Sequence, residues 1–253
     1  MRSFVVYIVF FYFFDYSKGG KFIVKANKKY LSFYYENIED LPDLVIDKSK
    51  TALLIVDMQK HFISKNGEDA NNFKQTGQWE RWSPYFDYVE KVTIPNTKKL
   101  IACCRNNNIE VTYGRIASLK ANGKDRSRVQ STLGWNNILV PIDSEGAEMV
   151  DELKPLPDEI VVNKTTDSVS LGTNYTEIIR NMGINTVIVT GIVTDQCVAS
   201  TIRVLADQGF RIICVEDCCA APDMKLHYIE LKIMNIIYCN VLSTEEVIRL
   251  ISK

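Results

Sequence analysis

The stretch VIVTGIVTDQCVASTIRV, residues 187–204, reads as a buried strand that breaks at Gly191, turns, and restarts as a helix carrying Cys197 in its first turns. The continuous β-branched run Val187 to Thr190 predicts the strand. Val198, Ile202 and Leu205, spaced four and three apart, predict the buried stripe of the helix. A thiol near the positive end of a helix is favoured as thiolate, the nucleophilic form. Free cysteine is also among the most buried residue types and is commonly inert there. Cys197 therefore acquires a role only through partners elsewhere in the chain.

Working outward, TALLIV at residues 51–56 is the near-continuous apolar run of a strand covered on both faces, and it ends in Asp57-Met58-Gln59. DEIVVN at residues 158–163 predicts another strand, with Lys164 at its carboxyl end. Open α/β sheets gather their ligands at that edge. Asp57, Lys164 and Cys197 thus fall at or just past the ends of three strands, where chemistry is usually done.

The other elements fill in the pattern. A helix is expected over Asn96 to Asn106, then a strand over Ile109 to Tyr113 followed by Gly114-Arg115, where Arg115 is placed to hold an anionic group. A helix from Tyr175 to Met182 stops at Gly183. Strands follow at Thr186 to Thr190, Arg211 to Val215 and Cys239 to Leu242, with a helix over Lys225 to Ile237 before the last. Ser243 with Glu246 forms a capping box for a final helix. Six strands alternating with helices predict an α/β fold, a Rossmann-like three-layer sandwich with a six-stranded parallel sheet and right-handed crossovers. Residues 61–95 carry no strand signal. Trp79, Trp82, Tyr85, Phe86 and Tyr88 crowd that segment and read as a surface helix or subunit contact in preference to a lid.

Composition bounds the function. The 253 residues carry a net charge of −1 and are 46% hydrophobic, which indicates an ordinary globular core. Basic residues are scattered and not interleaved with aromatics, so nucleic acid is not an expected partner. The seven cysteines include no C-x-x-C spacing, which argues against a zinc or redox motif, and their odd number suits a reducing, cytoplasmic setting. Phe4 to Phe14, FVVYIVFFYFF, leaves a secretory alternative: it is too short to span a membrane but has the length of a signal-peptide core. Membrane contact is expected only if residues 4–14 act as signal or anchor. Two N-x-T acceptors, at Asn163 and Asn174, lean against export, because a glycan on Asn163 would crowd Lys164. Residues 1–47 read as an N-terminal extension and 48–253 as one domain.

The pieces TALLIVDMQKHF, EIVVNKTTDS, VIVTGIVTDQCVAST and VEDCCA, followed by His227 and VLSTEEV, resemble in order and spacing the isochorismatase-like cysteine hydrolase family. That family includes nicotinamidases, N-carbamoylsarcosine amidohydrolase, and biuret and ureidoacrylate hydrolases. The resemblance implies a catalytic triad of Asp57, Lys164 and Cys197, a cis peptide at Ile192-Val193, and an oxyanion hole from the N–H groups of Val193 and Cys197. It also implies self-association into a homo-oligomer. Isochorismatases proper lack the nucleophilic cysteine, so Cys197 points away from their vinyl-ether chemistry. Metal-dependent nicotinamidases carry histidines after the second strand, where this chain reads YGRIASLKANGKDRS, so no metal and no cofactor are expected. The resemblance is nearer the ureide and biuret branch, and Gln59, Phe62, Arg115, Thr194 and Gln196 are candidate substrate contacts. The expected activity is hydrolysis of a C–N amide bond in a small ureide, carbamoyl compound or carboxamide through a thioester. The alternatives are a nicotinamidase without the usual metal ligands, and a non-catalytic interaction subunit.

Overall fold

The structure is a computed structural model that describes residues 28–38, 44–134 and 136–252. The apolar run at residues 4–14 lies outside the described residues. A six-stranded parallel sheet forms the centre, in the order β5-β2-β1-β6-β7-β8, with β1 Thr51–Val56, β2 Glu110–Ile116, β5 Ile160–Lys164, β6 Thr186–Ile192, β7 Arg211–Ala220 and β8 Asn240–Leu242. Two two-residue strands, β3 Ser131–Thr132 and β4 Asn136–Asn137, pair antiparallel in the loop that follows β2. The helices are α1 Lys60–Ile63, α2 Glu68–Gln75, α3 Trp79–Tyr88, α4 Ile94–Asn106, α5 Tyr175–Asn181, α6 Ala199–Asp207, α7 Met224–Met234 and α8 Thr244–Ile251.

Strand β1 shows why a run without polar alternation is needed at the centre. Ala52, Leu54 and Val56 pack with Ile179, Ile202, Leu205 and Leu231 of α5, α6 and α7 on one face. Leu53 and Ile55 pack with Leu100, Ile101, Val247 and Ile251 of α4 and α8 on the other. Both faces of the sheet are covered, so every residue of β1 is buried. Ser243 and Glu246 close the expected capping box at the start of α8.

Several boundaries differ from the sequence reading. Strand β6 runs through Gly191 to Ile192, and β2 runs through Gly114 and Arg115 to Ile116, so neither glycine ends its strand. Gly191 is at φ +118°, and a Cβ there would lie 2.0 Å from Val56 O. The residue is glycine because β1 and β6 approach too closely for a side chain. Strand β7 passes through Glu216 and Asp217 to Ala220 because both charges find partners: Asp217 accepts from Thr244 N–H and hydroxyl, and Glu216 from Lys29 and the Tyr30 hydroxyl. Residues 61–95 are largely helical, and of their aromatics Trp79, Trp82 and Tyr88 of α3 are half-buried. Tyr85 and Phe86 of α3 are buried in the core.

The segment assigned to the extension also contributes to the core. Tyr30 is buried, stacks with Tyr228 of α7, and its carbonyl accepts from Asn235. Among the described residues no helix is long and apolar enough to cross a membrane.

Candidate active site

Asp57 leaves the end of β1 in a left-handed conformation, φ 54°, with its N–H donating to Gly114 O and its carbonyl accepting from Gln59 N–H. Such a backbone is uncommon outside glycine and persists where neighbours enforce it. Lys164 is the last residue of β5, and its ammonium reaches inward to Asp57 Oδ2 at 2.8 Å, to Cys197 Sγ at 3.4 Å and to Thr166 O at 3.1 Å. The three side chains are almost wholly buried, at 2% exposed for Asp57, 0% for Lys164 and 6% for Cys197. The Cys197 thiol is also within hydrogen-bonding reach of the Asp57 carboxylate, and Asp57 and Cys197 line a common cavity.

Cys197 belongs to a wide π-helical turn, Thr194–Val198, and α6 starts only at Ala199. The N–H groups of Gln196 and Val198 both donate to Val193 O, bracketing the Cys197 N–H between them. The Ile192–Val193 peptide preceding the turn is cis.

Burial pushes the Cys197 thiol well up, Lys164 pulls it down and Asp57 adds to the rise. Burial also raises the Asp57 carboxyl against the pull of Lys164. For Lys164 burial works against the charge, but Asp57 and Cys197 outweigh it and hold the ammonium above its ordinary range. The site is a buried thiol beside the Asp57–Lys164 ion pair.

A cavity of about 740 Å³ leads to the sulfur. Phe62 and Gln196 line it, as do Phe73, Trp82 and Tyr85, so α3 supplies part of the wall. Three candidate contacts serve other ends. Gln59 is buried, donates from Nε2 to Ile116 O and Ala147 O, and accepts from Ile116 N–H. Its amide ties β2 to the turn after β1 and does not line the cavity. Arg115 lies within β2, not beyond it, and donates to Asn163 Oδ1 and Ala147 O. Thr194 is buried with its hydroxyl 2.8 Å from His227 Nδ1.

No local sequence pattern signals that histidine bond or the presence of His61, Glu68, Asp69 and Asn72 at the cavity wall. His61 follows Asp57 by four residues, at the ligand-gathering edge of the sheet, and that position was the available signal. Among the described residues no three His, Cys, Asp or Glu side chains converge as metal ligands.

A parallel α/β sheet that gathers a carboxylate, an ammonium and a thiol at its strand ends defines a Rossmann-like hydrolase. The isochorismatase domain model matches residues 51–246, and the chain belongs to the isochorismatase family. It is similar to the uncharacterized isochorismatase family protein YrdC of Bacillus subtilis (strain 168), 26% identical over 212 residues that cover 79% of this chain and 96% of that one. It is also similar to the ureidoacrylate amidohydrolase RutB of Agrobacterium fabrum, 27% identical over 180 residues, 63% of this chain and 71% of that one. The crystal structure of a cysteine hydrolase from Pseudomonas syringae pv. phaseolicola 1448A superposes with a TM-score of 0.71 at 23% identity, covering 85% of this chain and 98% of that one, and shares the fold.

Proposed function

We propose that the protein hydrolyses a C–N amide bond of a small ureide, carbamoyl compound or carboxamide, with Cys197 as nucleophile. The observation that carries this reading is the Lys164 ammonium placed between Asp57 Oδ2 and Cys197 Sγ in a buried site that opens onto a cavity. Similarity to a ureidoacrylate amidohydrolase supports the bond type.

In this reading the proton moves between Cys197, Asp57 and the leaving nitrogen. Asp57 takes the Cys197 proton as the sulfur attacks the carbonyl carbon, and Lys164 stabilises the sulfur while it carries negative charge. The tetrahedral oxyanion lies against the N–H groups of Val193 and Cys197, donors of the kind worth about 2.7–4 kcal/mol each in the transition state. The C–N bond breaks as Asp57 returns the proton to nitrogen, releasing ammonia or an amine and leaving a thioester on Cys197. Asp57 then takes a proton from water, hydroxide adds to the thioester carbonyl, and the acid departs as the sulfur recovers the proton. Neither Val193 nor Cys197 needs a side-chain change for this, because the donors are backbone groups.

A panel of small amides and ureides, scored by ammonia release with wild type and Cys197→Ala, tests the assignment. Release from at least one compound that disappears in the folded variant supports it. Turnover that survives the substitution removes Cys197 as nucleophile.

A further inference from the structure

The cavity above Cys197 carries an uneven charge. Of its ionisable lining groups Asp57 is matched by Lys164, whereas Glu68 and Asp69 share only His61, at 3.1 Å from Nδ1 and 3.4 Å from Nε2. With His61 neutral this group carries two negative charges, and with His61 protonated it still carries one. Among the described residues no lysine or arginine lines the cavity.

The nearby cations are held by other partners: Arg126 donates to Asn137 Oδ1 and to the carbonyls of Ile138, Gln130 and Gly123 behind the cavity wall. Lys60 reaches Glu145, Glu148 and Asp151, and Lys65 reaches Asp87 and Glu90. Arg115, the residue best suited by sequence to hold an anion, is bound to Asn163 and Ala147. The same wall presents Trp82 stacked on Phe73 with ring centroids 4.1 Å apart, an aromatic face of the kind that attracts a cation.

From this asymmetry we propose that the cavity selects by charge: it takes an amide or ureide whose far end is an ammonium or guanidinium, and turns away one that ends in a carboxylate. The proposal rests on the hydrolase reading for the scissile bond, but the charge selection itself does not require turnover. Glu68 and Asp69 are then specificity residues, acting on the charged end of the substrate. Both are partly solvated, so the selection weakens as ionic strength rises.

Two measurements separate the two readings. In the first, Cys197 is labelled with methanethiosulfonates bearing an ammonium, a methyl or a sulfonate group, each rate divided by that reagent's rate with a free small thiol. The ammonium reagent is expected to label Cys197 at least about tenfold faster than the sulfonate, with the ratio falling in 0.5 M salt and in Glu68→Gln/Asp69→Asn. An equal or inverted ratio, or one unchanged in the double variant, overturns the proposal. The single variant Glu68→Gln, at an exposed side chain, serves if the double variant does not fold. In the second, 3-aminopropanamide, butanamide and succinamic acid are compared by ammonia release. Preference for the first supports the proposal, and preference for the last overturns it. Labelling selectivity without hydrolysis of any amide contradicts the proposed function and leaves the charge selection standing.

Discussion

The ammonium of Lys164 lies 3.4 Å from the sulfur of Cys197, with both side chains buried. Because the same ammonium holds Asp57 at 2.8 Å, its removal strands a buried carboxylate. Lys164→Met is expected to lose about 3–5 kcal/mol of stability, as broken buried pairs do. It should also lose about 10²–10³-fold in turnover, the scale of one lost electrostatic stabiliser. Urea unfolding and steady-state ammonia release on the same preparation check both. Full turnover in a destabilised variant would make the pair structural alone.

His227 is buried beside Thr194, and burial together with Lys29 lowers its pKa from 6.5 to about 4. Between those values the unfolded chain binds the proton and the folded chain does not. The resulting stabilisation is fully present above about pH 6.5 and is lost as pH falls to about 4, a span of about 3 kcal/mol. Urea midpoints of wild type should therefore drop across that window more steeply than those of His227→Asn. Parallel pH profiles would contradict a neutral, buried imidazole.

Gly191 sits opposite Val56, one residue before Asp57, at φ +118°. Gly191→Ala places a methyl group against Val56 O and forces a backbone conformation that L residues avoid. The expected cost is at least about 3 kcal/mol, with loss of Cys197 reactivity because the same two strand ends position the site. Circular dichroism on heating and alkylation of Cys197 follow the two effects. A variant with unaltered melting would show that β1 and β6 separate easily.

Arg115 bridges β2, β5 and the segment at Ala147 without entering the cavity. Arg115→Met is expected to cost about 1.5–3 kcal/mol, the range for hydrogen bonds to a charged group, while KM stays within about twofold. Chemical denaturation and KM on one amide are the readouts. A large rise in KM at full stability would return Arg115 to the substrate.

The parts of this molecule legible in sequence are those set by short-range pattern. The apolar runs of β1 and β6 gave the central strands, and Ser243 with Glu246 gave the start of α8. Asp57, Lys164 and Cys197 stood out because strand ends are where open sheets bind ligands. Arg115, Gln59 and Thr194 each hold a partner 32 to 88 residues away, which no local pattern reveals. Strand β7 was cut short because Glu216 and Asp217 look like an ending until Thr244, Tyr30 and Lys29 are seen to pair with them. The acidic wall from Glu68 and Asp69 depends on how α2 lies over the strand ends, and a polar helix read in isolation is only a solvated surface.

The central claim is that the Cys197 sulfur forms a covalent bond to the substrate's carbonyl carbon. Acid-quenching the enzyme within milliseconds of mixing with a turned-over amide, followed by peptide mass analysis, tests it most directly. The account predicts an acyl mass increment on the Cys197 peptide that appears during turnover and is absent in Cys197→Ala. Sustained ammonia release with no increment on Cys197, and undiminished release by Cys197→Ala, would contradict it.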